Sequence, residues 1–245
     1  MFGGSRTTPW VGGIGLSSFA GRHRGQPMFV LGNGPSLRGL ELSAVDPFLT
    51  VGVNRILRLY PHPSYYLVMD EHCTALSTDH PELHDGIGEL IQATRATILC
   101  WERRASSVQA LGRSCLTFRF DPRSEVGLST DPGVLHSFLS AGLTALGFAY
   151  AVGADPIVVA GIDCQVAPDG AQDFYGRNRH FSSTNLRLWR EHCRWIADNC
   201  RDRRILNCGR VDEFERVTLS EAVRICEECR CERVRDHSGA ALGSA

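Results

Sequence analysis

Short apolar runs separated by glycine- and proline-bearing turns dominate the chain, with stretches of helical spacing between them. Residues 28–31, Met-Phe-Val-Leu, are apolar without alternation, the pattern of a strand buried on both faces. The runs at 49–53, 65–69 and 96–101 read the same way, and 115–120 reads as a short fifth strand. Residues 155–162 form the cleanest strand, and 204–208 the last. Residues 138–152 are rich in Ala, Gly and Leu and predict a buried helix. Ser182, Ser183 and Thr184 offer N-caps for an amphipathic helix with Leu186, Trp189, Cys193, Ile196 and Ala197 on one stripe. Residues 219–225 predict a last helix, and no internal repeat is visible. Strands alternating with helices predict an α/β fold: one Rossmann-like domain, its mainly parallel sheet covered on both faces. Its expected extent is 26–235, after a loose Gly-, Ser- and Arg-rich arm at 1–25 and before a disordered tail at 236–245.

Composition adds limits. With 245 residues, 43% hydrophobic and 22% charged, the chain fits one globular domain. A net charge of −1 gives no overall field that would draw it to nucleic acid or a membrane. All 26 basic residues are Arg, which excludes a lysine nucleophile, a Schiff base and a Walker-type lysine. The N-terminus lacks the apolar region of a signal peptide and no run reaches the length of a membrane span. A reduced, cytoplasmic protein is the expectation, with self-association into a homo-oligomer left open.

The candidate chemistry gathers at the ends of the predicted strands. In a parallel sheet, ligands bind outside the strands' carboxyl ends. Gly32, Asn33 and Gly34 follow the first strand, Asn54 the second, Asp70 the third, and Asp163 the strand at 155–162. Two glycines flanking an Asn permit a sharp turn and close approach of a ligand. Pro35 suits the first position of a following helix, which leaves free N–H groups and the Ser36 hydroxyl facing a phosphate or other anion. The full G-x-G-x-x-G with its ribose-binding acid is absent, which argues against a dinucleotide enzyme. Asn54 is a candidate for reading a base or ribose. Asp70 and Asp163, sharing a rim, are candidate catalytic acids, able to hold Mg2+ through a diphosphate or to bind sugar hydroxyls. His180 stands just before the caps of the amphipathic helix, where a positive helix terminus favours the neutral ring that a general base needs. Tyr175, Arg177 and Arg179 precede it as anion contacts.

Four segments together resemble a known superfamily: G-N-G-P-S-L at 32–37, V-N at 53–54, S-A-G at 140–142, and A-L-G-F-A-Y-A-V-G-A-D-P-I-V-V-A-G-I-D at 145–163. They look like the bacterial sialyltransferases of glycosyltransferase family 42, the flagellin motility-accessory family and the archaeal-type 6-hydroxymethylpterin pyrophosphokinases. The similarity spans about residues 27 to 210. It implies that Asn33, Gly34, Ser36, Asn54, Ser140 and Gly142 hold a nucleotide donor and that His180 activates an acceptor hydroxyl. Where a sialyltransferase has Asn after the third strand, this chain has Asp70, and it lacks the membrane-associating C-terminal extension. Both departures turn the expectation from CMP-sialic acid towards another nucleotide-activated sugar.

The resemblance therefore implies a glycosyltransferase, with an ATP- and Mg2+-dependent diphosphotransferase or a non-catalytic nucleotide-binding protein as the alternatives. The acceptor is a hydroxyl on a glycan, a protein, a metabolite or a modified DNA base. Cys226, Cys229 and Cys231 form one cluster, with Cys208 or His237 as further ligands. A structural zinc site usually has two separated pairs, so free thiols are expected here rather than zinc.

Overall fold

The computed structural model describes residues 15–74, 86–176 and 183–241. Nine strands, β1 (Met28–Leu31), β2 (Leu49–Val53), β3 (Tyr65–Val68), β4 (Thr97–Trp101), β5 (Leu116–Phe120), β6 (Val134–Leu135), β7 (Ile157–Ala160), β8 (Ile205–Asn207) and β9 (Glu215–Arg216), form one sheet. Its order is β6-β5-β4-β3-β2-β1-β7-β8-β9, and every pairing is parallel. The α/β, parallel-sheet expectation is met. The two-residue strands β6 and β9 escaped the sequence reading because they are too short to show a period.

Five α-helices accompany the sheet: α1 (Ile87–Ala93), α2 (Ala105–Ala110), α3 (Ala141–Ala151), α4 (Ser183–Asn199) and α5 (Leu219–Ala241). Side chains alternate between two cores. Met28 and Val30 of β1 join α3 and the Cys193 and Ile196 face of α4. Phe29 and Leu31 join the opposite core, with Ile87 and Ile91 of α1 and Leu219, Ala222 and Cys226 of α5. The crossovers from β1 to β2 and from β2 to β3 contain only 3-10 turns, at Pro35–Leu37, Leu42–Val45 and Asn54–Arg58. Only residues 54–64 separate β2 from β3, too few for a regular crossover helix.

Two boundaries differ from the sequence reading. The last helix does not stop at Ile225 but continues to Ala241, so residues 236–241 of the expected tail are helical. Residues 15–25 are not a loose arm. Leu16 and Phe19 are buried, and the N–H groups of Gly21, His23 and Gly25 reach the carbonyls of Ala151, Val152 and Gly153 at 3.2, 2.8 and 2.8 Å. Two apolar residues three apart, set among Gly and Ser, gave too weak a pattern to reveal this packing.

His23 gives this segment a pH dependence. Its Nε2 lies 2.6 Å from the Tyr65 hydroxyl and its Nδ1 3.2 Å from Gln26 Oε1. Burial, aided by the Arg22 charge and opposed by Gln26, holds its pKa below the ordinary 6.5. The unfolded chain therefore binds more protons than the folded one in the window just below 6.5. Stability is complete above that value and falls as pH drops towards the folded pKa. Urea unfolding between neutral pH and about pH 5 should show this loss, and it should be shallower in His23→Gln. Equal slopes in the two proteins would contradict the assignment.

Candidate functional site

The order of the strands reverses between β1 and β7: β2 to β6 are added on one side of β1, and β7 to β9 on the other. Just past the strand ends, Leu37 after β1 enters one core and Cys164 after β7 the other. A crevice at such a switch point is where open α/β sheets bind ligands.

Here the glycine turn and the loop after β7 are stitched together. Gly32 N–H bonds Ala160 O at 2.8 Å and Gly34 N–H bonds Gly161 O at 2.7 Å. Ser36 N–H donates to Asp163 Oδ2 at 2.7 Å, and Arg210 N–H donates to Asp163 Oδ1 at 3.2 Å. A Cβ on Gly32 would lie 2.2 Å from Gly161 O, and one on Gly34 would lie 2.5 Å from Asp163 Oδ2. Glycine is required at both positions because another loop occupies the space. This corrects one expectation. The N–H groups of Gly34 and Ser36 do not face a ligand; they fasten the turn to β7. Asp163, 5% exposed, accepts from the glycine turn and from the loop after β8, and clamps both to the end of β7.

Two side chains of the turn keep oxygens that nothing satisfies. Asn33 Nδ2 donates to Val53 O at 3.2 Å, tying the turn to β2, while its Oδ1 is buried without a partner. Ser36 Oγ is likewise buried and unpartnered. Buried polar atoms without a partner are rare in folded proteins, and two in one turn point to a bound group. Asn54 stands at φ 50°, its carbonyl accepting the Tyr66 hydroxyl at 2.6 Å and its Oδ1 accepting the Cys73 thiol at 3.6 Å.

The S-A-G segment opens α3, whose first residues adjoin the loop after β7: a Cβ on Gly142 would meet Ile162 Cγ1 at 3.2 Å. Ser140 caps the helix by accepting Leu143 N–H at 3.5 Å. Phe138 and Leu139 before it sit at φ 48° and 50°, a left-handed conformation that costs each about 1–2 kcal/mol. Neighbours hold that backbone in place. The Thr144 hydroxyl reaches the carbonyls of His136 and Ser137 at 3.1 and 2.7 Å, Trp189 Nε1 donates to Leu139 O at 2.8 Å, and His192 Nδ1 donates to Phe138 O at 3.0 Å. Strain maintained by so many contacts marks a segment whose position matters. Thr144→Val keeps the shape but removes the hydroxyl, and should cost about 1–3 kcal/mol, read as a lower Tm. An unchanged Tm would show that the strained turn holds itself.

A third segment folds over the glycine turn. Phe174 N–H bonds Asn33 O at 2.7 Å, and Arg38 reaches Phe174 O at 3.0 Å, Asp173 O at 3.4 Å and the Asp169 carboxylate. The Arg55 guanidinium lies 4.4 Å from the Tyr175 ring centroid, a cation–π contact. Burial, then the hydrogen bond with Asp173, pushes the Tyr175 hydroxyl pKa up, so it remains a neutral phenol. Arg38, Arg55 and the Phe138–Leu139 turn were not legible in the sequence. Their partners are distant in the chain, and neither Phe nor Leu signals a left-handed backbone.

The remaining expectations divide. Asp70 is exposed after β3, on the same rim. The strand order puts three inter-strand steps between β3 and β7, about 14 Å, so Asp70 and Asp163 do not meet at a single Mg2+. Arg177 and His180 lie outside the described residues. All ten cysteines are free thiols, with Cys226 buried, Cys229 half-buried and Cys231 exposed on α5. Among the described residues no group of three or more His, Cys, Asp and Glu is placed to hold a metal ion, and no helix is long and apolar enough to cross a membrane.

No family model and no curated protein sequence matches the chain. Among solved structures, it is similar to the MAf glycosyltransferase from Magnetospirillum magneticum AMB-1, with a TM-score of 0.55 and 14% identity over 83% of this chain. The chain spans 37% of that protein's length. At this identity the likeness is one of fold: the parallel α/β sheet described above is built like part of a glycosyltransferase.

Proposed function

We propose that the chain is a transferase that moves a sugar from a nucleotide-activated donor to an acceptor hydroxyl at the switch-point crevice. The observation that carries the reading is the pair of buried, unpartnered oxygens, Asn33 Oδ1 and Ser36 Oγ, in a turn clamped beside the N-terminus of α3. A nucleoside supplies N–H and O–H donors for Asn33 Oδ1, and the Ser36 hydroxyl can donate or accept. The positive end of α3, where the first N–H groups have no partner within the helix, is suited to the donor's phosphate. The glycosyltransferase-like fold supports the same reading at the level of architecture.

In the reaction, the bond between the sugar's anomeric carbon and the phosphate oxygen breaks, and the electron pair leaves with the nucleotide. Charge growing on that phosphate is stabilised by the fixed dipole of α3. The acceptor oxygen forms the new bond to the anomeric carbon as its proton passes to a base, a role we assign to His180 from the family resemblance. Asp163 touches neither reactant in this scheme. It keeps the glycine turn and the β7 loop in register, and Thr144, Trp189 and His192 do the same for the S-A-G segment.

A thermal-shift panel of CMP, UDP, GDP and ATP, each with and without Mg2+, tests the reading without knowledge of the acceptor. A ligand that binds only the folded state raises its apparent stability by mass action. At least one of CMP, UDP and GDP should raise the Tm more than ATP does. Stabilisation by ATP alone, and only with Mg2+, would replace this reading with the diphosphotransferase. Nucleotide binding without transfer from any donor would replace it with a binding protein.

A further inference from the structure

Beyond the donor crevice, the chain leaving Asp163 forms one wall of a second concavity. Cys164, Gln165 and Val166 face the first half of α4 across a groove of about 500 Å3. Arg187, Arg190 and Arg194 line it from the helix side, at spacings of three and four residues that put them on one face. Their ion pairs are loose. Arg187 lies 3.6 Å from Glu191, Arg190 3.9 Å from Asp212, and Arg194 3.6 Å from Glu213, all beyond hydrogen-bonding distance. The three side chains are 75%, 48% and 65% exposed; Glu191 and Asp212 are exposed too, so those two pairs contribute little and exchange readily for a better anion, while Glu213 is only 10% exposed. Val166, 41% exposed, and Leu186 give the same groove an apolar surface.

We propose that this groove binds the acceptor, and that the acceptor is a compact anionic sugar, its carboxylate or phosphate held by the arginines. The assignment rests on the donor reading above, because the groove begins one residue after Asp163 and so adjoins the crevice. Guanidinium groups bind carboxylate and phosphate through paired N–H donors, and the C–H face of a sugar ring packs on Val166 and Leu186. The volume suits one or two sugar units. Glu191, Asp212 and Glu213 beside the arginines disfavour an extended polyanion such as duplex DNA, which would bring many phosphates against those acids.

The test is calorimetric titration of the full chain with digalacturonic acid, glucose 6-phosphate and neutral maltose, at low and raised salt. Arg187→Gln, Arg190→Gln, Arg194→Gln and the triple variant are titrated alongside. At least one acidic sugar should bind about tenfold or more tightly than maltose, with each single variant losing about that factor and the triple variant losing binding. The carboxylate and phosphate arms separate the two sources of charge. The nucleotide thermal shift should be unchanged in the triple variant, which also shows that it folds. Equal binding of acidic and neutral sugars, or indifference of the Gln variants, would overturn the proposal. Tighter, steeply salt-dependent binding of a random-sequence DNA duplex that the triple variant loses would overturn it in favour of a nucleic-acid surface. Acid binding at the arginines without any nucleotide shift would leave the groove as an anion site and overturn the donor reading instead.

Discussion

Turnover in His180→Ala is expected to fall by about two to four orders of magnitude, the usual worth of a positioned base, while nucleotide affinity stays nearly unchanged. The two effects separate because the proposed donor contacts belong to other residues, Asn33, Ser36, Asn54 and the start of α3. The pH–rate profile should lose its acidic limb in the variant, since the step that needs a deprotonated group has gone. Asn54→Ala should do the reverse, weakening donor binding more than it slows chemistry at saturation. Single-turnover kinetics at saturating donor distinguish the two. Full activity in His180→Ala would remove the histidine from the mechanism and make exposed Asp70, on the same rim, the next base to test.

Gly34→Ala should be a damaging one-methyl change in the rim, and one that acts through a single carboxylate. The backbone there has φ −62°, so alanine meets no conformational penalty. Its Cβ, however, would lie 2.5 and 2.7 Å from the Asp163 Oδ2 and Cγ atoms and 2.9 Å from Gly161 O. The carboxylate must move, which breaks its bond from Ser36 N–H and strains that from Arg210 N–H. Overpacking and lost hydrogen bonds each cost about 1–3 kcal/mol, so Tm should drop by roughly 5–15 °C for a chain of this size. Gly39→Ala is the control. It sits at φ 78° with nothing within 4 Å of a Cβ, and should cost only the left-handed backbone penalty of about 1–2 kcal/mol. In an Asp163→Ala background most of the extra cost of Gly34→Ala should vanish, because the residues act through one contact. Additive effects would show that the two loops are not clamped through the carboxylate.

Much of the architecture was written in local pattern. Apolar runs mark β1 to β4, β7 and β8 because central parallel strands are buried on both faces, while β5, near the edge, shows as an alternating Leu-Thr-Phe-Arg-Phe. The glycine turn and the four rim positions after β1, β2, β3 and β7 followed from the same runs. What local pattern could not reveal was partnership across the chain. Ser36 and Asp163 are 127 residues apart, so the sequence assigned the turn's N–H groups to a ligand when they belong to a carboxylate. Asp163 read as a catalytic or metal-binding acid for the same reason: an acid after a strand looks alike whether it faces substrate or a neighbouring loop. Phe138 and Leu139 carry no mark of the left-handed turn that Thr144, Trp189 and His192 impose from outside. Arg38 resembled any exposed arginine until the loop that it pins was in place.

The central claim is that a nucleotide sits at the switch point between β1 and β7, beside the start of α3. Amide hydrogen exchange with and without saturating CMP, UDP or GDP, whichever gives the largest thermal shift, tests it directly. Added protection should fall on four segments: 32–37, 53–55, 140–144 and 161–164. The concavity that runs from Leu37 and Arg38 to Leu42, Tyr60 and His62 should show none at 40–46 and 59–62. Protection confined to 40–46 and 59–62, or absent from 32–37 and 140–144 while the nucleotide is bound, would contradict the account.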